Sequence, residues 1–123
     1  MEKIFLDYQT ALDFLRGDPQ IVEKLNYYAN VEEICISSLT LMHLLFTIKK
    51  SEAILSFANN VTVLPIDKKV GIIASKIKRE LDEKMLELPQ ETMITAAVCM
   101  SNDAFLFTRK PSDFEGIKGL KRV

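Results

Sequence analysis

The spacing of apolar residues changes character repeatedly along this chain, and each change marks an element. Lys3 to Asp7 carries an unbroken apolar run, Ile4-Phe5-Leu6, of the length of a buried strand. From Thr10 to Arg16 the apolar residues Ala11, Leu12, Phe14 and Leu15 follow helical spacing, and Gly17 closes the helix. Asp18-Pro19 then opens a second helix through Ile21, Val22 and Leu25 to about Tyr28, since Pro suits the first helical turn. Glu33 to Ser37 reads as a strand. Ser37-Ser38 caps a helix from Leu39 to Lys50, and Ser51 starts a shorter one that ends at Asn59-Asn60.

The second half continues the alternation. Val61 to Ile66 is β-branched and reads as a strand that Pro65 cuts short. Asp67 to Met85 places Val70, Ile72, Ile73, Ile77 and Leu81 at helical spacing among Lys and Arg, which predicts the longest amphipathic helix. Leu86 to Pro89 is a connector, Met93 to Met100 an apolar helix, and Ser101-Asn102-Asp103 a turn before a strand at Ala104 to Thr108. A loop from Lys110 to Gly119 leads to an edge strand at Leu120 to Val123. Strands alternating with helices predict a single α/β domain over residues 1–123, a parallel sheet of about five strands with helices on both faces.

Composition narrows the function. With 16 basic and 17 acidic residues there is no general positive field, so any nucleic-acid contact must be local. The longest apolar stretch, Leu39 to Ile48, is broken by Thr40, His43 and Thr47 and falls far short of the roughly 20 residues that span a bilayer. No basic segment followed by an apolar one opens the chain, so a cytoplasmic location without membrane contact is expected. Cys35 and Cys99 have no second cysteine or histidine at zinc-like spacing, and both are expected to be buried, reduced and inert.

In an open parallel sheet, working residues gather at the carboxyl ends of the strands, here Asp7, Ser37-Ser38 and Thr108 onward. Those places carry a pattern. Phe5-Leu6-Asp7 with Leu12-Asp13-Phe14-Leu15-Arg16-Gly17 resembles the opening of PIN domains; Ser37-Ser38-Leu39-Thr40 resembles their second motif. Leu88-Pro89 through Ala96-Ala97 resembles the third, and Thr108-Arg109 with Asp113-Phe114 the last. The resemblance runs the length of the chain and is strongest to the VapC type. It implies a five-stranded parallel sheet, homodimers, magnesium- or manganese-dependent endoribonuclease activity, and an antitoxin protein as partner.

The chemistry has changed within that pattern. Such enzymes hold hard divalent ions with several anionic oxygens to activate water and stabilise charge on the phosphate. The resemblance assigns Asp7 to the first acid, His43 to the place of a Glu, Thr92 to that of an Asp, and Lys110 to that of an Asp or Asn. Lys110 matters most, because an ammonium repels a metal ion by about 4 kcal/mol per unit charge pair at roughly 4 Å and an effective dielectric of about 20. Lys110, with His43 as a second candidate, is therefore expected to pair with Asp7 in place of the ion, and no metal cofactor is expected. Glu91 and Asp113 lie close in sequence, but helical phase turns Glu91 about 100° away from Thr92, and neither is expected to take over a lost role.

Plainer readings stand beside these. Asp7 also suits an ordinary helix cap, His43 a packed core residue among Leu41, Met42, Leu44 and Leu45, and Thr92 a structural helix start. Lys76, Lys78 and Arg79 read as a solvated face, whereas Arg109 and Lys110 at a strand end could meet an RNA phosphate. Three functions follow: a PIN-like protein with a degenerate site that works by binding protein or RNA; a live ribonuclease toxin using Asp7, His43 and Glu91 with magnesium or manganese; or a regulatory subunit that dimerises with an intact relative.

Overall fold

The computed structural model describes residues 1–123. The strands are β1 (Lys3–Leu6), β2 (Glu33–Ser37), β3 (Thr62–Leu64), β4 (Phe105–Phe107) and β5 (Lys121–Arg122). The helices are α1 (Tyr8–Leu15), α2 (Pro19–Val31), α3 (Ser38–Thr47), α4 (Ser51–Asn59), α5 (Lys68–Glu83) and α6 (Gln90–Ser101), and a short 3-10 helix covers Pro111–Phe114. All strand pairs are parallel and the sheet order is β3-β2-β1-β4-β5, so β1 lies at the centre.

Alternation within the strands builds two cores. Ile4 and Leu6 of β1, Ile34 and Ile36 of β2 and Phe107 of β4 point to one face, where they pack with Ala11, Leu12, Ile21, Leu25, Leu44, Ile54 and Phe57 from α1 to α4. Phe5, Cys35 and Leu106 point to the other, against Val70, Ile77 and Leu81 of α5 and Ala96 to Cys99 of α6. Both faces are covered, which is why the central strands read as continuous apolar runs. Both cysteines are buried and unpaired.

Helix starts follow the caps. The side chains of Asp7, Asp18, Ser37 and Asp67 accept backbone N–H bonds at the starts of α1, α2, α3 and α5. Three boundaries differ from the sequence reading. Pro65 limits β3 to three residues; α6 begins at Gln90, three residues before Met93, because Pro89 supplies its entry; and the loop after Lys110 contains the 3-10 turn, anchored by the buried Phe114. No helix is long and apolar enough to cross a membrane.

Candidate functional site

The parallel register places Leu6 beside Phe107, so the residues that follow, Asp7 and Thr108, meet at the carboxyl edge of the sheet. Asp7 Oδ1 accepts the Thr10 amide at 3.0 Å, capping α1, and Oδ2 accepts the Thr108 hydroxyl at 2.6 Å. Thr108 Oγ1 in turn accepts the Lys110 backbone N–H at 3.1 Å. A small pocket of about 120 Å3 opens beside Asp7, and Glu91, Thr92, Thr95 and Asp113 also line it.

That arrangement corrects two sequence expectations. The Lys110 ammonium makes no ion pair with Asp7; Lys110 is exposed, and only its backbone is tied into the site. Glu91, which helical phase had turned away, shares the pocket with Asp7, because it stands in the open first turn of α6 with a long side chain. Asp113 joins it from the 3-10 helix.

His43 sits at the middle of α3, a quarter exposed rather than within the core. Its Nε2 lies 3.3 Å from Glu91 Oε1, and its ring meets Tyr8 edge-on at 5.8 Å. Thr47 Oγ1 donates to the His43 carbonyl at 2.9 Å, so its single proton is taken and the Tyr8 hydroxyl is the donor in the 2.6 Å bond to Thr47. His43 therefore links α3 to α1 and α6 and engages Glu91, not Asp7.

Arg109 is committed within the fold. Its Nη1 donates to Asp13 Oδ2 at 3.0 Å and to Asp18 Oδ2 at 2.7 Å, fastening the end of β4 to the turn between α1 and α2. The guanidinium holds the Asp18 carboxyl below its ordinary range, helped by the Ile21 backbone amide. Of the two basic residues at this strand end, only Lys110 is without an acidic partner.

A hard divalent ion needs several convergent anionic oxygens. Asp7 has both oxygens engaged, Glu91 faces His43, and no three His, Cys, Asp or Glu side chains come together closely enough to hold a metal ion. The residues present do not fit a magnesium or manganese site in this arrangement.

No family model matches the chain. It is 27% identical over 128 residues to the tRNA(fMet)-specific endonuclease VapC of Salmonella typhimurium, covering 98% of this chain and 96% of that protein. It is 25% identical to the protein of that name from Shigella flexneri, with the same coverage. Among solved structures, DNA-bound VapBC from Salmonella typhimurium matches with a TM-score of 0.85 and 28% identity, covering 100% of this chain and 98% of that one. In sequence and in fold the chain is similar, over its whole length, to PIN-domain proteins of the VapC type. VapBC2 of Rickettsia felis, bound to a promoter DNA fragment, shares the fold at a TM-score of 0.85 and 21% identity, covering 98% of this chain and 97% of that one.

The resemblance singled out Asp7 and Thr92, which line one pocket, and His43 and Lys110, which do not. It missed Thr108 as the partner of Asp7 and the Asp13–Arg109–Asp18 clamp. The first was accessible from the parallel pairing of β1 with β4; the second had no sequence signal, because it joins acids and a base more than ninety residues apart.

Proposed function

We propose that this VapC-type domain has lost metal-dependent RNA cleavage and works in the cytoplasm as a binding component of an antitoxin-type complex. The engagement of Asp7 carries the reading: Thr10 and Thr108 occupy its two oxygens, so the one acid that remains from the family pattern serves as a cap and cross-strand link. His43, Thr92 and Lys110 at the other three positions bring no anion.

Support for a protein partner comes from the relatives, which are solved as VapBC complexes. It also comes from a cleft of about 340 Å3 between α1, α2 and α4, walled by Phe14, Leu25, Ala53, Phe57 and Val61, which suits the apolar face of a helix. The exposed Met42, Leu45 and Phe46 of α3 support self-association into a homodimer, since such a patch is costly to leave in water.

The second reading, a live toxin ribonuclease that uses magnesium or manganese, is favoured by one observation: Glu91 and Asp113 share the pocket of Asp7. Calorimetric titration with manganese and magnesium, with cleavage of a mixed-sequence RNA by the wild type and Asp7→Ala, separates the two. The silenced reading expects no saturable metal binding and equal, background cleavage; metal-dependent cleavage that disappears in Asp7→Ala would end it. Restoring the cage requires His43→Glu, Thr92→Asp and Lys110→Asp together, because each single change leaves too few anions.

A further inference from the structure

Three consecutive residues at the end of β4 reach three different partners. Phe107 takes the Tyr28 ring of α2 edge-on at 5.9 Å, Thr108 donates to Asp7, and Arg109 holds Asp13 and Asp18. Both ion pairs of Arg109 leave from one nitrogen, Nη1, at 3.0 and 2.7 Å. Each carboxylate gives its other oxygen to its own helix. Asp13 Oδ1 accepts from the Gln9 side chain of α1 at 2.9 Å, and Asp18 Oδ1 accepts the Gln20 and Ile21 amides that open α2. The last turn of α1, the start of α2 and the end of β4 therefore meet at a single guanidinium nitrogen.

The same two helices are walls of the apolar cleft. Phe14 and Leu15 follow Asp13 directly, and Leu25 and Ala29 lie further along α2 from Asp18. The α4 wall is pinned separately, by Phe57 against Phe14 at 5.7 Å. Between α1 and α2 no side-chain hydrogen bond or ion pair runs except through Arg109. Their turn is a glycine, Gly17 at φ +81°, and a side chain added there would meet nothing within 4 Å, so neighbouring packing does not brace it. Arg109, Asp13 and Asp18 themselves lie outside the cleft lining.

We infer that Arg109 is a positioning residue for this cleft: it fixes the spacing of α1 and α2, and thereby the affinity for an apolar helix seated between them, without touching that helix. The inference rests on the reading of the cleft as the seat of a protein partner. Without the guanidinium, the Asp13 and Asp18 carboxylates face the same point with nothing between them, and like charges at that range repel. The hinge at Gly17 lets α2 move away. An apolar cleft is sensitive to such movement, because a gap of about 0.5–1 Å forfeits roughly a quarter to a half of each contact's dispersion energy.

The test measures fluorescence anisotropy of a labelled amphipathic helical peptide with Leu and Phe along one face, at a temperature where circular dichroism shows every variant folded. Ala53→Asp, which puts a charge in the cleft, should abolish binding. Arg109→Gln should weaken it about fivefold or more. Arg109→Lys should bind like the wild type, because one ammonium nitrogen can also serve two acceptors. The triple variant Asp13→Asn/Asp18→Asn/Arg109→Gln, with no charge left to repel, should recover most of the affinity. Spin labels at Glu23→Cys of α2 and Glu52→Cys of α4, the native thiols being buried, should move apart in Arg109→Gln. Binding lost in Ala53→Asp but kept in Arg109→Gln overturns the inference alone, as does an unchanged label separation or a failure of both Arg109→Lys and the triple variant to restore affinity. A wild type that does not bind the peptide, or undiminished binding by Ala53→Asp, overturns the cleft reading and the inference with it.

Discussion

Thr108 and Asp7 stand 101 residues apart in the chain and share a 2.6 Å hydrogen bond at the heads of two adjacent strands. The bond uses the carboxylate oxygen that does not cap α1, so a single side chain fastens both the start of a helix and the centre of the sheet. Both oxygens of the Asp7 carboxylate are thereby engaged within the fold.

Removing either partner therefore should register as stability. Thr108→Val leaves a half-buried carboxylate oxygen without its donor and should cost about 1–3 kcal/mol. Asp7→Ala loses the cap as well, for about 2–4 kcal/mol in total. Urea denaturation of both single variants and the double variant should show a coupling of at least about 0.5 kcal/mol. Strict additivity would mean that the contact contributes nothing.

Arg109 gives an acid-range signature. Its guanidinium holds Asp18 below the ordinary carboxyl value of 3.8. A depressed folded value stabilises the protein above the unfolded value, and that contribution disappears as pH falls through the lower folded one. Wild type should thus lose stability more steeply than Arg109→Ala below about pH 3.8, with the difference between the two constant from pH 5 to 8. Because the pair is open to solvent, added salt should shrink the difference. Thermal melts across pH at two salt concentrations measure both effects.

How much of this was legible beforehand depends on the range of the interaction. The two-faced sheet followed from local alternation: Ile4 and Leu6 against Phe5, and Ile34 and Ile36 against Cys35. Caps at Asp7, Asp18 and Ser37 are likewise three-residue affairs. The failures lie where a loop decides a direction. Lys110 was expected to turn inward to Asp7, yet the 3-10 turn at Pro111 and the backbone bond to Thr108 carry its ammonium outward. Helical phase by itself turns Glu91 away from Thr92, yet its place in the first turn of α6 lets its side chain line the pocket of Asp7.

Thr10 offers a prediction with the opposite sign. Its hydroxyl is fully buried at the base of α1 and has no hydrogen-bond partner. Thr10→Val keeps the shape and removes the unsatisfied group, so stability should rise by about 1 kcal/mol. A loss in urea denaturation would reveal a polar partner for this hydroxyl.

The thiols should be silent in the folded state. Burial pushes the Cys35 thiol up to about 12 and Cys99 higher still, so neither supplies thiolate at neutral pH. Labelling by a disulfide reagent at pH 8 should proceed only through unfolding, reach both residues in denaturant, and accelerate in Thr108→Val in proportion to its lost stability. Rapid labelling of the native protein would contradict the buried assignment.

The position of β1 has a consequence for how this polypeptide is made. One flank of β1 is filled by β2, but the other waits for residues 105–107. Between Ser37 and Phe107 the ribosome must add about 70 residues, which at about 5–20 residues per second takes about 4–14 s. For those seconds a nascent chain holds Ile4, Phe5 and Leu6 with one row of amides and carbonyls unpaired. Synthesis thus leaves a bare strand margin open to chaperones, or to a neighbouring copy on the same messenger, until Thr108 arrives and Asp7 finds its partner.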